Sequence, residues 1–174
     1  SRREREDARE RQGAVPVTSP PVRVHLHYAM TGTYPLRLVD LLFLDDSVLL
    51  VEYDYLTGFD LATAGADRRA ASFAETLESE GLAAARAAAE REQRIDYDDL
   101  DRIVVYGGGA VAREKVVLDR TDAAPIRVRV HGDVDVDALC GALESTVASE
   151  DTAVDRHAGV GVGDRFRRLC GISR

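Results

Sequence analysis

Histidine, arginine and glycine carry most of the chemistry this chain could offer, and each occurs in a pattern that can be weighed. His25 and His27 stand two residues apart in VRVHLHY (22–28). That segment alternates apolar and polar residues as a half-buried strand does, with Val22, Val24, Leu26 and Tyr28 on one face and Arg23, His25 and His27 on the other. Two imidazoles so placed could share a metal ion, but no carboxylate lies close to them in sequence, so a third ligand would have to come from elsewhere. Exposed histidines on a polar face are the plainer reading. A second alternating segment, IRVRVH (126–131), puts Arg127, Arg129 and His131 on its polar face. If the two strands lie close, Arg23, His25, His27, Arg127, Arg129 and His131 form a basic stripe. Such a stripe could take an acidic peptide or a phosphate, or simply pair with surface aspartates.

Gly107-Gly108-Gly109-Ala110-Val111-Ala112 follows an apolar strand and fits G-x-G-x-x-A. In a dinucleotide fold the glycines let backbone approach a pyrophosphate at a helix N-terminus, and a second strand ends in an acid about 20 residues on. Here Val116-Val117-Leu118 reads as strand almost at once and Asp119 arrives too soon, so a glycine hairpin turn is expected. Asp96, Asp98, Asp99 and Asp101 lack the Gly and terminal Glu of a calcium loop and read as a solvated connector or helix cap. No G-x-S-x-G, H-E-x-x-H or G-K-[ST] phosphate loop occurs. The residues therefore assign no catalytic group, no metal ligand and no cofactor.

Composition narrows the partners. The net charge is -8, and Lys115 is the only lysine among 23 basic residues. The arginine-rich ends have a slight positive excess, so the acidity lies in the body. An Asp-rich, Lys-poor, Ala/Val/Arg-rich chain has the composition of a haloarchaeal protein, in which acidity keeps the surface hydrated in strong salt; a high-GC bacterium is the alternative source. The acidic body disfavours nucleic acid and anionic lipid, although the Arg-rich termini keep a nucleic-acid-associated regulator as an alternative. No run approaches the roughly 20 apolar residues of a membrane span, and no signal peptide is evident, so a cytoplasmic location is expected. Cys140 reads as a buried small apolar residue, and Cys170 lies in the tail.

The elements that must position these residues centre on LVDLLFLDDSVLLVEYDY (38–55). Two apolar runs flank the turn formers Asp45-Asp46-Ser47, which predicts a hairpin whose second strand is covered on both faces. Residues 1–21 read as a charged, proline-containing arm. Residues 22–148 form a single domain, with a helical insertion over about 61–94 that Gly81 divides in two. Strands are expected at 102–106, 113–118 and 126–130, the last of the domain. A helix runs to about Val147, with Val136, Leu139, Cys140, Leu143 and Val147 on one face. Residues 149–174 read as a flexible tail.

That order, with LLFLDDSVLLVEY followed by IDYDDLDRIVVY, resembles the PH/GRAM-like superfamily over Val22 to Val147. The resemblance implies an α+β fold: a PH-like bent antiparallel sheet or partly open barrel with a helical insertion and a C-terminal capping helix. It implies a noncatalytic binding or scaffold domain whose partner is another protein. A lipid-binding member would carry basic residues in its first hairpin loop. The corresponding loop here, 29–37, holds only Arg37, which argues against phosphoinositide. A small enzyme or nucleotide-binding protein using the Gly107–Gly109 turn or the His25/His27 face is the alternative.

Overall fold

The computed structural model describes residues 20–33, 35–109 and 112–158. Nearly all of the N-terminal arm and most of the C-terminal tail, with every terminal arginine on which a nucleic-acid reading rests except Arg156, lie outside them. Eight strands form one sheet: β1 (Val24–Thr31), β2 (Leu36–Phe43), β3 (Ser47–Leu56), β4 (Arg91–Asp96), β5 (Leu100–Tyr106), β6 (Lys115–Arg120), β7 (Ile126–Val130) and β8 (Ala153–His157). Helices α1 (Gly58–Ala62), α2 (Gly65–Glu80) and α3 (Leu82–Ala87) fill the insertion, and α4 (Val136–Thr146) follows β7. The spatial order is β4-β3-β2-β1-β7-β6-β5-β8. Every pairing is antiparallel except that of β5 with β8. The fold is α+β.

The connection between β4 and β5 dictates the shape of the sheet. These strands stand six positions apart, which in a flat sheet is about 29 Å at a spacing of about 4.8 Å. Only the 3-10 turn Tyr97–Asp99 joins them, and so short a link reaches about 14 Å fully extended. The sheet must therefore bend until its two ends approach. Tyr97 pins this corner: its ring is buried, its hydroxyl donates to the Leu44 carbonyl at 2.8 Å, and its own carbonyl accepts from Thr152 Oγ1 at 3.0 Å.

Bending encloses the main core on the inner face. Leu26, Val39, Leu41, Phe43, Val48 and Leu50 meet Ile103, Val105, Val116, Leu118, Val128 and Val130 there. The stripe of α4 formed by Leu139, Cys140, Leu143 and Val147 fills the remaining space. The α4 N-terminus is capped as its acids predict, with Ala138 N–H donating to Asp135 Oδ1 at 3.0 Å. Because Leu42, Leu44, Leu49 and Val51 also point outward into a second cluster with Phe73, Leu82 and Ala85, β2 and β3 are buried on both faces. That is why their sequences read as nearly unbroken apolar runs.

Three expectations need correction. The helical insertion ends at Ala87, and Arg91–Asp96 is an edge strand instead. Only Ile95 of β4 is buried, so backbone pairing with β3, rather than an apolar pattern, holds it. Ile126–Val130 is not the final strand, because Ala153–His157 joins β5 within the expected tail; it too is short and polar and shows no periodicity. The loop after β1 is also shorter than 29–37, since β1 runs to Thr31 and β2 begins at Leu36.

Gly81 separates α2 from α3 with φ 88 and ψ 177, a region essentially closed to residues with a side chain. A Cβ there would meet nothing within 4 Å, so the requirement is purely conformational. Gly81→Ala is expected to cost about 1–3 kcal/mol, measured by urea unfolding. A loss below 0.5 kcal/mol, the ordinary scale of a surface substitution, would show that the chain re-routes this junction freely.

Candidate functional site

The outer face of β2 presents Leu38, Asp40 and Leu42 in turn. Leu38 and Leu42 belong to apolar clusters beneath the helices, and Asp40, between them, is completely buried. A carboxylate in such a dry layer costs several kcal/mol unless it is fully hydrogen-bonded. Both neighbouring strands bulge to supply the partners. β1 pairs regularly down to Leu26↔Leu41 and resumes at Ala29↔Val39, so His27 and Tyr28 together oppose Asp40. β3 goes from Leu38↔Asp54 to Val39↔Glu52, so Tyr53 is its extra residue. Bulges of this kind re-aim side chains, and here both aim at one carboxylate.

Four hydrogen bonds result. Asp40 Oδ2 accepts from His25 Nε2 at 2.6 Å and from His27 Nδ1 at 2.8 Å. Asp40 Oδ1 accepts from the Tyr28 backbone N–H at 2.9 Å and the Tyr53 hydroxyl at 3.0 Å. Burial is the largest influence on Asp40 and pushes its pKa up, but the hydrogen bonds from His25 and His27, with their Coulombic attraction, prevail and leave it below the ordinary value. The carboxylate is therefore ionised and can only accept, which fixes the imidazole nitrogens facing it as donors. The Asp40 hydrogen bond raises His27, against the opposing effect of burial.

The surroundings hold this arrangement rigidly. The Tyr53 ring stacks on Phe73 of α2, with centroids 4.4 Å apart and planes 8° from parallel. Burial, then the charge of Asp40, drives its hydroxyl well above the ordinary phenol range, so it remains a donor. Tyr28 adopts φ 55, the only positive φ of a non-glycine among the described residues. For a bulky side chain that is a strained conformation. The Tyr28 carbonyl accepts from the backbone N–H groups of His131 and Gly132 at 2.8 and 3.1 Å, which ties the bulge to the end of β7. Burial, then a hydrogen bond with Asp67, pushes the Tyr28 phenol up to about 12.

The expected basic stripe is only partly assembled. β1 and β7 are indeed adjacent, with Met30 opposite Arg129. His25 and His27, however, turn onto Asp40 rather than standing free, because the bulge and the buried charge draw them in. Arg23 pairs with Asp45 at 2.6 Å, and Arg129 donates to the Gly32 carbonyl at 3.1 Å. The His131 ring lies 5.8 Å from that of Tyr28; burial, then Arg113 and Arg129, lowers its pKa. Arg127 is exposed. Asp40 and Tyr53 were not singled out from the sequence, although Asp40 left a signal as the one acid inside the apolar run 38–44.

Arg127 instead belongs to an open groove of about 440 Å3 at the mouth of the inner core. Leu50 and Ile126 give it an apolar lining, and Arg37, Arg91 and Arg127 stand around it with one acid, Glu52. Arg37 Nη1 and Glu52 Oε2 are 3.3 Å apart. β4 borders the groove and is an edge of the sheet.

The Gly107–Gly109 segment is a turn between antiparallel strands, with a bridge between Gly109 and Ala112. A Cβ on Gly108 would meet the carboxylate end of Glu114, which can swing aside, and would lie 3.1 Å from the Ala112 carbonyl oxygen. A dinucleotide crossover needs parallel strands with a helix between them; β5 and β6 are antiparallel and no helix occurs among the described residues of this connection, Ala110 and Val111 lying outside them. The acidic connector is a solvated corner: Asp96 accepts from Arg94 and Asp101 from Thr121. No helix among the described residues is long and apolar enough to cross a membrane.

No protein-family model matches the chain, and no curated protein matches it. Among solved structures, the chain is similar to the hSac2 domain from the human phosphoinositide phosphatase Sac2. Identity is 10%, coverage is 93% of each chain, and the TM-score is 0.47. A likeness of that size carries no inference about function.

Proposed function

We propose that this chain is a noncatalytic binding module of PH-like architecture whose partner is a protein offering an extended acidic segment. The observation that carries the reading is the groove of Leu50 and Ile126 surrounded by Arg37, Arg91 and Arg127. It is a local concentration of positive charge on a chain with net charge -8. The adjoining edge of β4 presents backbone groups to which an extended peptide can add as a further strand. In such a strand alternate residues share one face, so acids at every second position would all turn toward the arginines of the groove. The strongly bent sheet and the helix α4 inside its curve support the PH-like assignment. The acidic, lysine-poor composition supports a cytoplasmic setting in a salt-loving cell.

The test uses a fluorescent eight-residue peptide alternating Val and Glu, with a Val–Lys peptide as control. The Val–Glu peptide is expected to bind and to lose at least tenfold in affinity when Arg91→Glu and Arg127→Glu are combined. Reversing two rim charges is of that order, about 1.4 kcal/mol for tenfold. Equal binding of both peptides, or no effect of the double substitution, overturns the reading. Competition by a soluble inositol phosphate at the same site would redirect it to phosphate recognition.

A further inference from the structure

We propose that His25, His27 and Asp40 form a binding site for a divalent transition-metal ion, distinct from the groove. One ligand atom from each of the three residues lies within 4.8 Å of the other two, and His25 Nε2 and His27 Nδ1 both reach Asp40 Oδ2. They come from two adjacent strands and converge because the β1 bulge sets His27 beside Asp40. Two imidazole nitrogens and one carboxylate oxygen are a ligand set suited to zinc and its neighbours in the first transition row. Magnesium and calcium favour sites made of oxygen.

The carboxylate is oriented as a ligand should be. Asp40 Oδ1 is held by the Tyr53 hydroxyl and the Tyr28 N–H, which leaves Oδ2 to face the imidazoles. Outer partners of this kind fix a ligating group in place and tune its affinity. Tyr53 is in turn fixed by its stack on Phe73. Asp40 is fully buried, whereas the side chains of His25 and His27 retain 25% and 35% exposure. An ion between them would thus have a buried anion behind it and an approach from solvent in front, where water supplies the remaining position.

The separations also decide what must move. The two N···O distances of 2.6 and 2.8 Å are hydrogen-bond lengths. Ligands around a tetrahedral ion at 2.0–2.1 Å stand about 3.3 Å apart. Uptake therefore displaces the proton between each nitrogen and Oδ2 and requires each ring to withdraw by roughly half an ångström. Part-exposed rings on the outer face of β1 can do this, while Asp40 stays anchored by Oδ1.

The experiment titrates the full chain, first stripped with a chelator, with Zn2+ by calorimetry and with Co2+ by visible absorption. One ion per chain is expected, with the ligand-field bands of four- or five-coordinate Co(II). His25→Gln and His27→Gln should each weaken binding more than 100-fold, and Tyr53→Phe, which touches no ion, by 10- to 100-fold. His157→Gln and Cys140→Ser should leave it unchanged. Thermal melting establishes that each variant is folded. If a histidine variant fails to fold, X-ray absorption of the Co-loaded native chain decides, with two imidazoles and otherwise only oxygen donors expected. Absence of stoichiometric uptake, binding that survives the His25→Gln/His27→Gln pair, or a sulfur-containing shell overturns the proposal. Peptide binding at the groove is read separately, so either idea can fail alone.

Discussion

Replacing Asp40 by alanine is expected to destabilise the domain by about 3–5 kcal/mol, the usual cost of removing one partner from a buried charge network. The substitution removes four hydrogen bonds at once. The imidazoles can turn toward water, but the Tyr53 hydroxyl and the Tyr28 N–H lie deeper, and each buried donor left without an acceptor costs about 1–3 kcal/mol. The strained Tyr28 also loses one of the contacts that hold it, keeping those of its carbonyl to His131 and Gly132. For a chain of this length the midpoint should fall by roughly 10–15 °C. Urea and thermal unfolding with a chelator present would measure the structural part alone. A loss under 1 kcal/mol would mean that the bulges are held by the sheet and not by the carboxylate.

Phe73→Ala is expected to release α2 from the sheet. The buried residues of α2 are Ala66, Ala70 and Phe73, with Leu77 half-buried against the same cluster as Phe73, so the Phe73 ring is the largest buried side chain that docks it. Truncating a buried phenylalanine costs about 3–5 kcal/mol. Because the other two buried residues are alanines, the expected outcome is local undocking rather than global collapse. Hydrogen exchange should show the amides of α2 losing protection while those of β2 and β6 keep theirs. The stack on Tyr53 couples this site to Asp40, so Phe73→Ala and Asp40→Ala should be non-additive in a double-mutant cycle. Full protection of α2 in the variant would show that the arm is secured elsewhere.

The central hairpin was legible because two apolar runs around Asp45-Asp46-Ser47 admit few other structures. The glycine division of the helical arm and the capped helix α4 were legible for similar local reasons. β4 and β8 were not, since edge strands are held by backbone hydrogen bonds that any residue type can make. The alternation read through Tyr28 broke down for a related reason. The extra residue of a bulge follows from what the neighbouring strand demands, and β1 alone carries no sign of it.

The candidate site divides along the same line. Sequence by itself determined that His25 and His27 share a strand face, that Asp40 is an acid within an apolar run, and that the body is acidic with few lysines. Local pattern suffices for these, because strand periodicity sets facing and composition sets charge. Only the tertiary structure decided that the imidazoles meet Asp40 and that Arg127 joins Arg37 and Arg91 at a groove. Contacts between strands depend on register, and here register shifts at two bulges because a buried carboxylate must find its donors.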